Sequence, residues 1–413
     1  MGVNPPRSGL GAVALGRSRA LKQVAPVAGL ALPRGGLVGE VGGVDLPVGR
    51  VRRVAVLRCN ALGDYVMATP ALAALRQAFP EAEITLLGSA WHAGFLSGRP
   101  GPVDRVLVLP HVPGLAGQPA GAPGEDALGQ FLVAARSYRY DLAVQLHGGG
   151  SASNPLVSAL GARWSIGLRA ENAAALDATV PYRYYQSEVF RFLEVVALVG
   201  AQGSPEYPGL AVSAREQEVA AQLLPAGRPW VALHAGAGDP RRRWAADRFA
   251  AVADALSAAG VRPVLVGSGS DVPMSAAVRR HAKAPLADLT GRTDLGTLAA
   301  VFGRCAVVVA NDSGPLHLAR AVGAATVGLY WCGNAINAAP PGRTRHRPLL
   351  SWIVHCPVCG VDTSTAGFPH RPGEGCAHRP SFLDQILVVE VLDEVLDLVP
   401  AVSHRIPSPA TSP

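Results

Sequence analysis

The run Asn311-Asp312-Ser313-Gly314-Pro315-Leu316-His317 lies between a β-branched stretch, Val307 to Val309, and a helical pattern from Leu318 to Val322. A glycine and a proline at a strand-to-helix turn leave the helix's first N–H groups, at the positive end of its dipole, able to receive an anion such as a phosphate. Asp312 or Ser313 is expected to cap the helix, Gly314 to let a ligand reach the backbone, and His317 to lie one turn inside on the same face. A capped buried helix with a core histidine would use the same residues.

A second turn of this kind occurs near the amino terminus. Val54 to Leu57 is apolar, Cys59-Asn60-Ala61-Leu62-Gly63-Asp64 interrupts it, and Tyr65 to Phe79 returns to helical spacing. A third block, His234-Ala235-Gly236-Ala237, is followed by Arg241-Arg242-Arg243-Trp244 and an amphipathic segment to Ala259. In this order the three blocks resemble the signatures of glycosyltransferase family 9, the heptosyltransferase family of lipopolysaccharide assembly, from about Val51 to Val399.

The resemblance implies transfer of a heptose-like sugar from a nucleotide diphosphate to a hydroxyl, with inversion and without a catalytic metal. Such transfer needs a base beside the attacking hydroxyl and positive charge at the departing diphosphate. Asp64 matches the family's proposed catalytic carboxylate; as the opening acid of a helix it would also serve the dipole. Arg242 stands where the family usually has a lysine two residues before the tryptophan, with Arg241 and Arg243 as neighbouring candidates or solvated charges. His234, Gly236, Ala237, Arg243, Asp271, Asp312, Ser313, Gly314 and His317 are the expected donor-binding set. Gly236 and Ala237 lack the hydroxyl that some members offer to the phosphates. Asp271, four residues after Gly267, matches the acid that holds the donor ribose, although it is Asp where Glu is commoner, and a helix cap would use it equally. No Asp-x-Asp pair occurs in the chain, so no divalent ion is suggested at the diphosphate. Asn60 and Gly63, with His147 and Asn154 from the Gly-rich loop Gln145 to Asn154, are the expected acceptor side. The acceptor itself, a lipopolysaccharide core or another cell-surface glycan, is not written in the residues.

Around these blocks, apolar runs alternate with helical patterns. Strands are expected at Val54 to Leu57, Ile84 to Leu87, Val106 to Leu109 and Leu142 to Leu146, and again at Trp230 to Leu233, Pro263 to Val266, Ala306 to Val309 and Thr326 to Leu329. This is βαβ grammar repeated twice, hence α/β architecture of the GT-B kind: two Rossmann-like domains facing a central cleft, with ligands beyond the strands' carboxyl ends. The expected divisions are a basic leader over residues 1–50, an acceptor domain over 51–205, a donor domain over 206–382, a helix over 383–400 packing back across the domains, and a tail over 401–413.

The length of 413 residues and 49% hydrophobic content suffice for two cores. Most of the formal net charge of +7 sits ahead of the first strand, where eight basic residues face two acidic ones. The remainder is near neutral without a basic stripe, which argues against nucleic-acid binding by the folded part. The leader is Gly- and Pro-rich, so it reads as disordered, and its apolar patch is too short and broken to span a membrane. Cytoplasmic residence is expected, with a peripheral contact between the leader and anionic lipid at the inner membrane face.

Cys59, Cys305 and Cys332 adjoin apolar runs and read as buried thiols. Cys356, Cys359, Cys376 and His378 have spacings that would hold a structural zinc, with His355 and His370 as spare ligands; a disulfide or a metal-free loop are the competing readings. No cofactor is expected in catalysis. Two readings compete with transfer: a nucleotide-sugar epimerase or hydrolase on the same scaffold, and a non-catalytic nucleotide-sugar-binding protein.

Overall fold

The apolar runs become strands, and the central ones are buried on both faces as parallel strands between helices must be, while β3 at a sheet edge leaves Val108 exposed. The computed structural model describes residues 51–115, 126–365 and 376–399. The expectations for the leader, the tail and His370 lie outside the described residues. Both sheets belong to one compact unit, Val41–Pro413.

The amino-terminal half contains β1 (Arg53–Leu57), α1 (Leu62–Ala78), β2 (Glu83–Gly88), α2 (Ala90–Leu96), β3 (Arg105–Val108), α3 (Ala127–Ser137), β4 (Leu142–Gln145), α4 (Ser153–Ser158), β5 (Trp164–Arg169), β6 (Ala178–Pro181) and α5 (Glu188–Ala197). The carboxy-terminal half contains α6 (Ala214–Leu223), β7 (Trp230–His234), α7 (Ala246–Ala258), β8 (Arg262–Leu265), α8 (Val272–His281), β9 (Ala287–Asp288), α9 (Leu295–Arg304), β10 (Cys305–Asn311), α10 (Gly314–Ala321), β11 (Ala325–Trp331), α11 (Cys332–Ala338), β12 (His346–Ser351) and α12 (Val388–Leu398). The sheets run β3-β2-β1-β4-β5-β6 and β12-β11-β10-β7-β8-β9, every pair parallel. Counted within each half, the two orders are the same. Each reverses direction once, between β1 and β4 and between β7 and β10. A crevice opens at such a reversal beyond the strands' carboxyl ends. The four loops that leave these strands carry Asp64, His147, the 234–243 block and Asp312.

In the first sheet, Val54, Val56, Ile84 and Val144 face α1 and α5, while Ala55, Leu57 and Leu87 face Tyr140, Leu156 and Leu160. In the second, Val231, Leu233, Val309 and Leu329 meet Trp244 and Phe249, and Ala232, Val264 and Val308 meet Leu298, Phe302 and Leu318. The expected strands all form, within about two residues at each end. The carboxy-terminal helix does not span 383–400. It starts at Val388, where the Glu390 side chain takes the Leu387 N–H at 2.7 Å, and the segment before it is irregular because Phe382, Leu383 and Ile386 are spent plugging the core. Nor does it cross the molecule: Val391 and Val395 pack into the second core, against α7 and β10 to β12.

Other groups join the halves. Arg99 and Glu216 pair at 2.6 Å, and the Asn337 amide donates to the Tyr184 carbonyl at 2.9 Å. The closest approach is glycine on glycine. A Cβ built on Gly63 would lie 2.9 Å from His317 Cδ2 and 3.5 Å from Gly314 Cα, and one built on Gly314 would lie 3.1 Å from Leu62 Cβ. Two helix amino termini therefore meet through their glycines, with the Leu62 and His317 side chains packed alongside.

His317 cannot swing away, because its ring nitrogens are both engaged, with Tyr207 and with Asp312. Gly63→Ala should therefore destabilise the fold by roughly 1–3 kcal/mol, the range for overpacking a tight contact. Urea unfolding monitored by circular dichroism measures this, and an unchanged midpoint would contradict the contact.

Candidate active site

Asp312 does not cap α10, and neither does Ser313. The Ser313 hydroxyl turns back to the Asn311 carbonyl at 2.9 Å and meets His234 Nδ1 at 3.2 Å. The Asp312 carboxylate, 3% exposed, instead receives Asn334 Nδ2 at 2.9 Å, His317 Nε2 at 3.3 Å and Arg242 Nη1 at 3.4 Å. Burial favours its neutral form, but His317, Arg242 and Asn334 together outweigh burial and hold it below the ordinary carboxylate range. At the opening of α10, Pro315 has no N–H and the Leu316 N–H turns back to the Ser313 carbonyl at 3.1 Å, so the Gly314 N–H is the donor kept clear there. His317 is a buried strut here: with its Nε2 hydrogen directed to Asp312, its Nδ1 accepts from the Tyr207 hydroxyl at 3.2 Å.

The arginine triplet is separated by its turn. Asp239 caps the turn through the Arg241 N–H, and the same carboxylate takes the Arg241 guanidinium in a fork at 2.9 and 2.6 Å. Arg243 donates Nε to the Ala237 carbonyl at 2.8 Å. Arg242 reaches the Asp312 turn. Asn311 fixes this arrangement: its Oδ1 accepts the Trp244 N–H at 3.1 Å and its Nδ2 donates to the Ala235 carbonyl at 2.8 Å, so β10 grips both ends of the 235–244 loop. Trp244 is fully buried, with Nε1 donating to the Ile386 carbonyl.

Two cavities flank the Arg242–Asp312 pair. One of about 600 Å³ is lined by Tyr184, Arg241, Arg242, Trp331, Asn334 and Arg379, among others, and so takes walls from both halves. The other, of about 580 Å³, is lined by His234, Arg243, Asp271, Thr293, Ser313 and Gly314 among others. Asp271 caps its own turn, taking the Ser268 N–H and hydroxyl at 2.8 Å each, and lies 3.5 Å from His234 Nε2. Burial raises its pKa, but His234 and Ser268 overcome this and bring it down to about 2. Gly236 is needed for that approach, since a Cβ there would fall 2.0 Å from Asp271 Oδ1.

On the opposite wall, Asp64 is the third residue of α1, with its side chain 32% exposed and Oδ1 held at 2.9 Å by Arg58 Nη2. The four expected acceptor residues part company. Gly63 is the contact to α10. The Asn60 carbonyl accepts the Trp91 indole N–H at 3.2 Å, and the residue is partly exposed. His147 is buried against Cys59, its Nδ1 3.5 Å from the Cys59 N–H. Asn154 is fully buried and donates Nδ2 to the Leu168 and Ala174 carbonyls. Both are buried in this structure, and the carbonyls of the Gly-rich loop are held by other donors, Gln145 Nε2 and the Ser153 hydroxyl.

Arg58, Glu188, Asn334 and Tyr207 escaped the sequence reading. Arg58 carried one signal, a charge directly after an apolar strand at its carboxyl end; the others come from distant elements with no local pattern. At the wall of the larger cavity, which Cys376 lines, the side-chain donor atoms of Cys356, Cys359, Cys376 and His378 all lie within 4.8 Å of one another. The Cys356 carbonyl accepts the Gly360 N–H at 2.8 Å, and Gly360 adopts φ +72°, closing a tight knuckle. Burial works against ionising Cys356, but the backbone N–H groups of Cys359 and Val358 bring its pKa down to about 6.

A family model described as glycosyltransferase family 9 (heptosyltransferase) matches residues 129–349, more than half of the chain. That span includes the 234–244 and 311–317 blocks and begins downstream of Asp64. The chain is 28% identical over 303 residues to lipopolysaccharide heptosyltransferase 2 of Escherichia coli (strain K12), covering 67% of this chain and 82% of that protein. Among solved structures, E. coli ADP-heptose lps heptosyltransferase II aligns with a TM-score of 0.63 at 21% identity, over 84% of this chain and 98% of that one. E. coli heptosyltransferase WaaC with ADP aligns with a TM-score of 0.56 at 19% identity, over 73% and 93%. These structural likenesses establish the fold, the GT-B pairing of Rossmann-like domains. With the matched span carrying two of the three blocks and the geometry that joins them, the chain belongs to glycosyltransferase family 9 and is a glycosyltransferase.

Proposed function

We propose that the protein moves a heptose-like sugar from an ADP-type nucleotide diphosphate to a hydroxyl of a lipopolysaccharide core or a similar cell-surface glycan, inverting the anomeric centre. The observation that carries this reading is the meeting of Gly63 with Gly314, which sets the Asp64 turn and the Arg242–Asp312 pair on one cleft. The relatives' names agree with this donor and acceptor, and nothing among them favours an epimerase or a non-catalytic binder.

In this reading the diphosphate lies against the uncapped start of α10 with Arg242 at its leaving oxygen. Asp271, His234 and Thr293 line the adjoining nucleoside cavity. The acceptor hydroxyl approaches from the amino-terminal half and gives its proton to Asp64. Its oxygen attacks the anomeric carbon from the face opposite the phosphate, and the bond to the phosphate oxygen breaks with its electron pair. Charge grows on that oxygen as the bond lengthens, so the Arg242 guanidinium and the Gly314 N–H are worth more in the transition state than before it. Asp312 aims Arg242, and the buried contacts from His317 and Asn334 fix Asp312 in turn. A membrane-anchored acceptor would suit peripheral attachment through the basic residues ahead of β1, by weak attraction to anionic lipid.

Three thiolates and an imidazole converging this closely fit a tetrahedral ion, zinc or ferrous iron, and we assign Cys356, Cys359, Cys376 and His378 as its ligands. Such an ion would tie the 356–360 knuckle to the irregular 376–379 segment and would take no part in transfer. Protein purified without chelators should contain one such ion per chain by elemental analysis. Cys359→Ser should lose it and lower the melting temperature, whereas metal-free wild-type protein of unchanged stability would remove the assignment.

Turnover of ADP-heptose and ADP affinity, measured side by side, test the catalytic roles. Asp64→Asn should lower turnover by about 10²–10⁴-fold and leave ADP affinity nearly intact. Arg242→Ala should lower turnover by about 10²–10³-fold and affinity less. Arg243→Ala, whose guanidinium is engaged with a backbone carbonyl, should do less than Arg242→Ala. Near-wild-type turnover in both Asp64→Asn and Arg242→Ala would overturn the proposal.

A further inference from the structure

Arg58 is the first residue after β1, and its side chain is 3% exposed. Its guanidinium donates Nε to the Asp64 carbonyl at 3.1 Å and Nη2 to Asp64 Oδ1 at 2.9 Å, so one group grips both the backbone and the carboxylate of Asp64. Nη1 donates to the Leu146 carbonyl at 2.7 Å, and the group lies 4.7 Å over the Phe192 ring. Nη2 is shared with Glu188 Oε2 at 3.2 Å. Glu188 is in turn paired with Arg191, whose guanidinium, 1% exposed, donates to the Arg183, Tyr184 and Gln186 carbonyls. Four charges of alternating sign thus run from the cleft into the interior, and only the Asp64 end is substantially open.

Burying such a chain is expensive, and a buried ion network often stabilises a fold no better than an apolar core would. Its geometry instead serves direction. An aspartate in the exposed first turn of a helix would visit several rotamers, whereas the Arg58 fork leaves Asp64 one orientation, with Oδ1 engaged. Glu188 keeps Arg58 from collapsing fully onto Asp64 by taking a share of the same Nη2.

We propose that Arg58 is a positioning residue that aims the Asp64 carboxylate, and that Glu188, braced by Arg191, holds Arg58 in that position. The proposal rests on the reading of Asp64 as the base. A double-mutant cycle in single-turnover transfer from ADP-heptose tests it, with ADP affinity by calorimetry as the companion readout. Arg58→Met should slow transfer by about 10–100-fold, the scale of a misplaced reacting group, with ADP affinity within about twofold of wild type. In the Asp64→Asn background the same substitution should slow transfer by no more than about twofold further, because Arg58 then has no carboxylate to aim. Arg58→Lys, which keeps the charge and loses the fork, should fall between Arg58→Met and wild type. Equal losses from Arg58→Met in both backgrounds, or a parallel loss of ADP affinity, would make Arg58 a structural residue and overturn the proposal. Should Arg58→Met fail to fold, Glu188→Gln carries the same cycle with the same non-additive result expected. Wild-type transfer by Asp64→Asn would be a different failure, that of the base itself.

Discussion

Two helix amino termini can meet only where neither carries a side chain at the point of contact. Gly63 and Gly314 satisfy that condition across the cleft, and each sits at the first turn after a strand that flanks its sheet's reversal. The consequences extend outward from that contact. α1 presents Asp64 beside it, α10 presents the Gly314 N–H, and the Tyr207–His317–Asp312 chain runs behind it as a hydrogen-bonded back wall. The contact also brings two positive dipole ends together, which makes an anionic ligand between them favourable.

Charge then divides the labour within the cleft. Each wall exposes part of one group and keeps its partner buried: Asp64 is open and Arg58 buried, while Arg242 is partly open and Asp312 buried. The buried partner in each pair is held by further hydrogen bonds, from Leu146 and Glu188 on one side and from His317 and Asn334 on the other. α11 links the two systems, since Asn334 serves Asp312 while Asn337, one turn later, holds the Tyr184 carbonyl in the segment that Arg191 braces. Asp64 on one wall and Arg242 on the other are therefore tied to each other through the same helix.

Much of this was legible from the chain because parallel strands between helices are written as plain apolar runs, and because their carboxyl ends are where polar turns must carry function. The Asp64, Arg242 and Asp312 turns are local patterns of that sort, and so is the spacing of Cys356, Cys359, Cys376 and His378. β5, β6, β9 and β12 lack a plain apolar run: Gly167 breaks the first, Thr179 and Pro181 break the second, the third is only two residues, and the fourth carries His346, Arg347 and Pro348. The caps misled because an aspartate before a glycine suits an N-cap as well as a buried ion pair, and only the arrival of Arg242 and Asn334 from elsewhere decides between them. His147 and Asn154 are buried because their partners, Cys59 for one and the Leu168 and Ala174 carbonyls for the other, come from elements that the local pattern does not show. Arg58 and Glu188 lie 130 positions apart and share no pattern. The final helix was drawn too long because Leu383 and Ile386 fit its apolar face while plugging the core from a turn.

The most direct measurement of the central claim is a crystal structure with a non-transferable ADP-sugar bound. The account predicts the diphosphate on the Gly314 N–H with Arg242 within hydrogen-bond reach, the adenosine beside Asp271, and the Asp64 carboxylate on the side of the anomeric carbon opposite the phosphate. A nucleotide seated away from α10, or Asp64 on the same side as the departing phosphate, would contradict it.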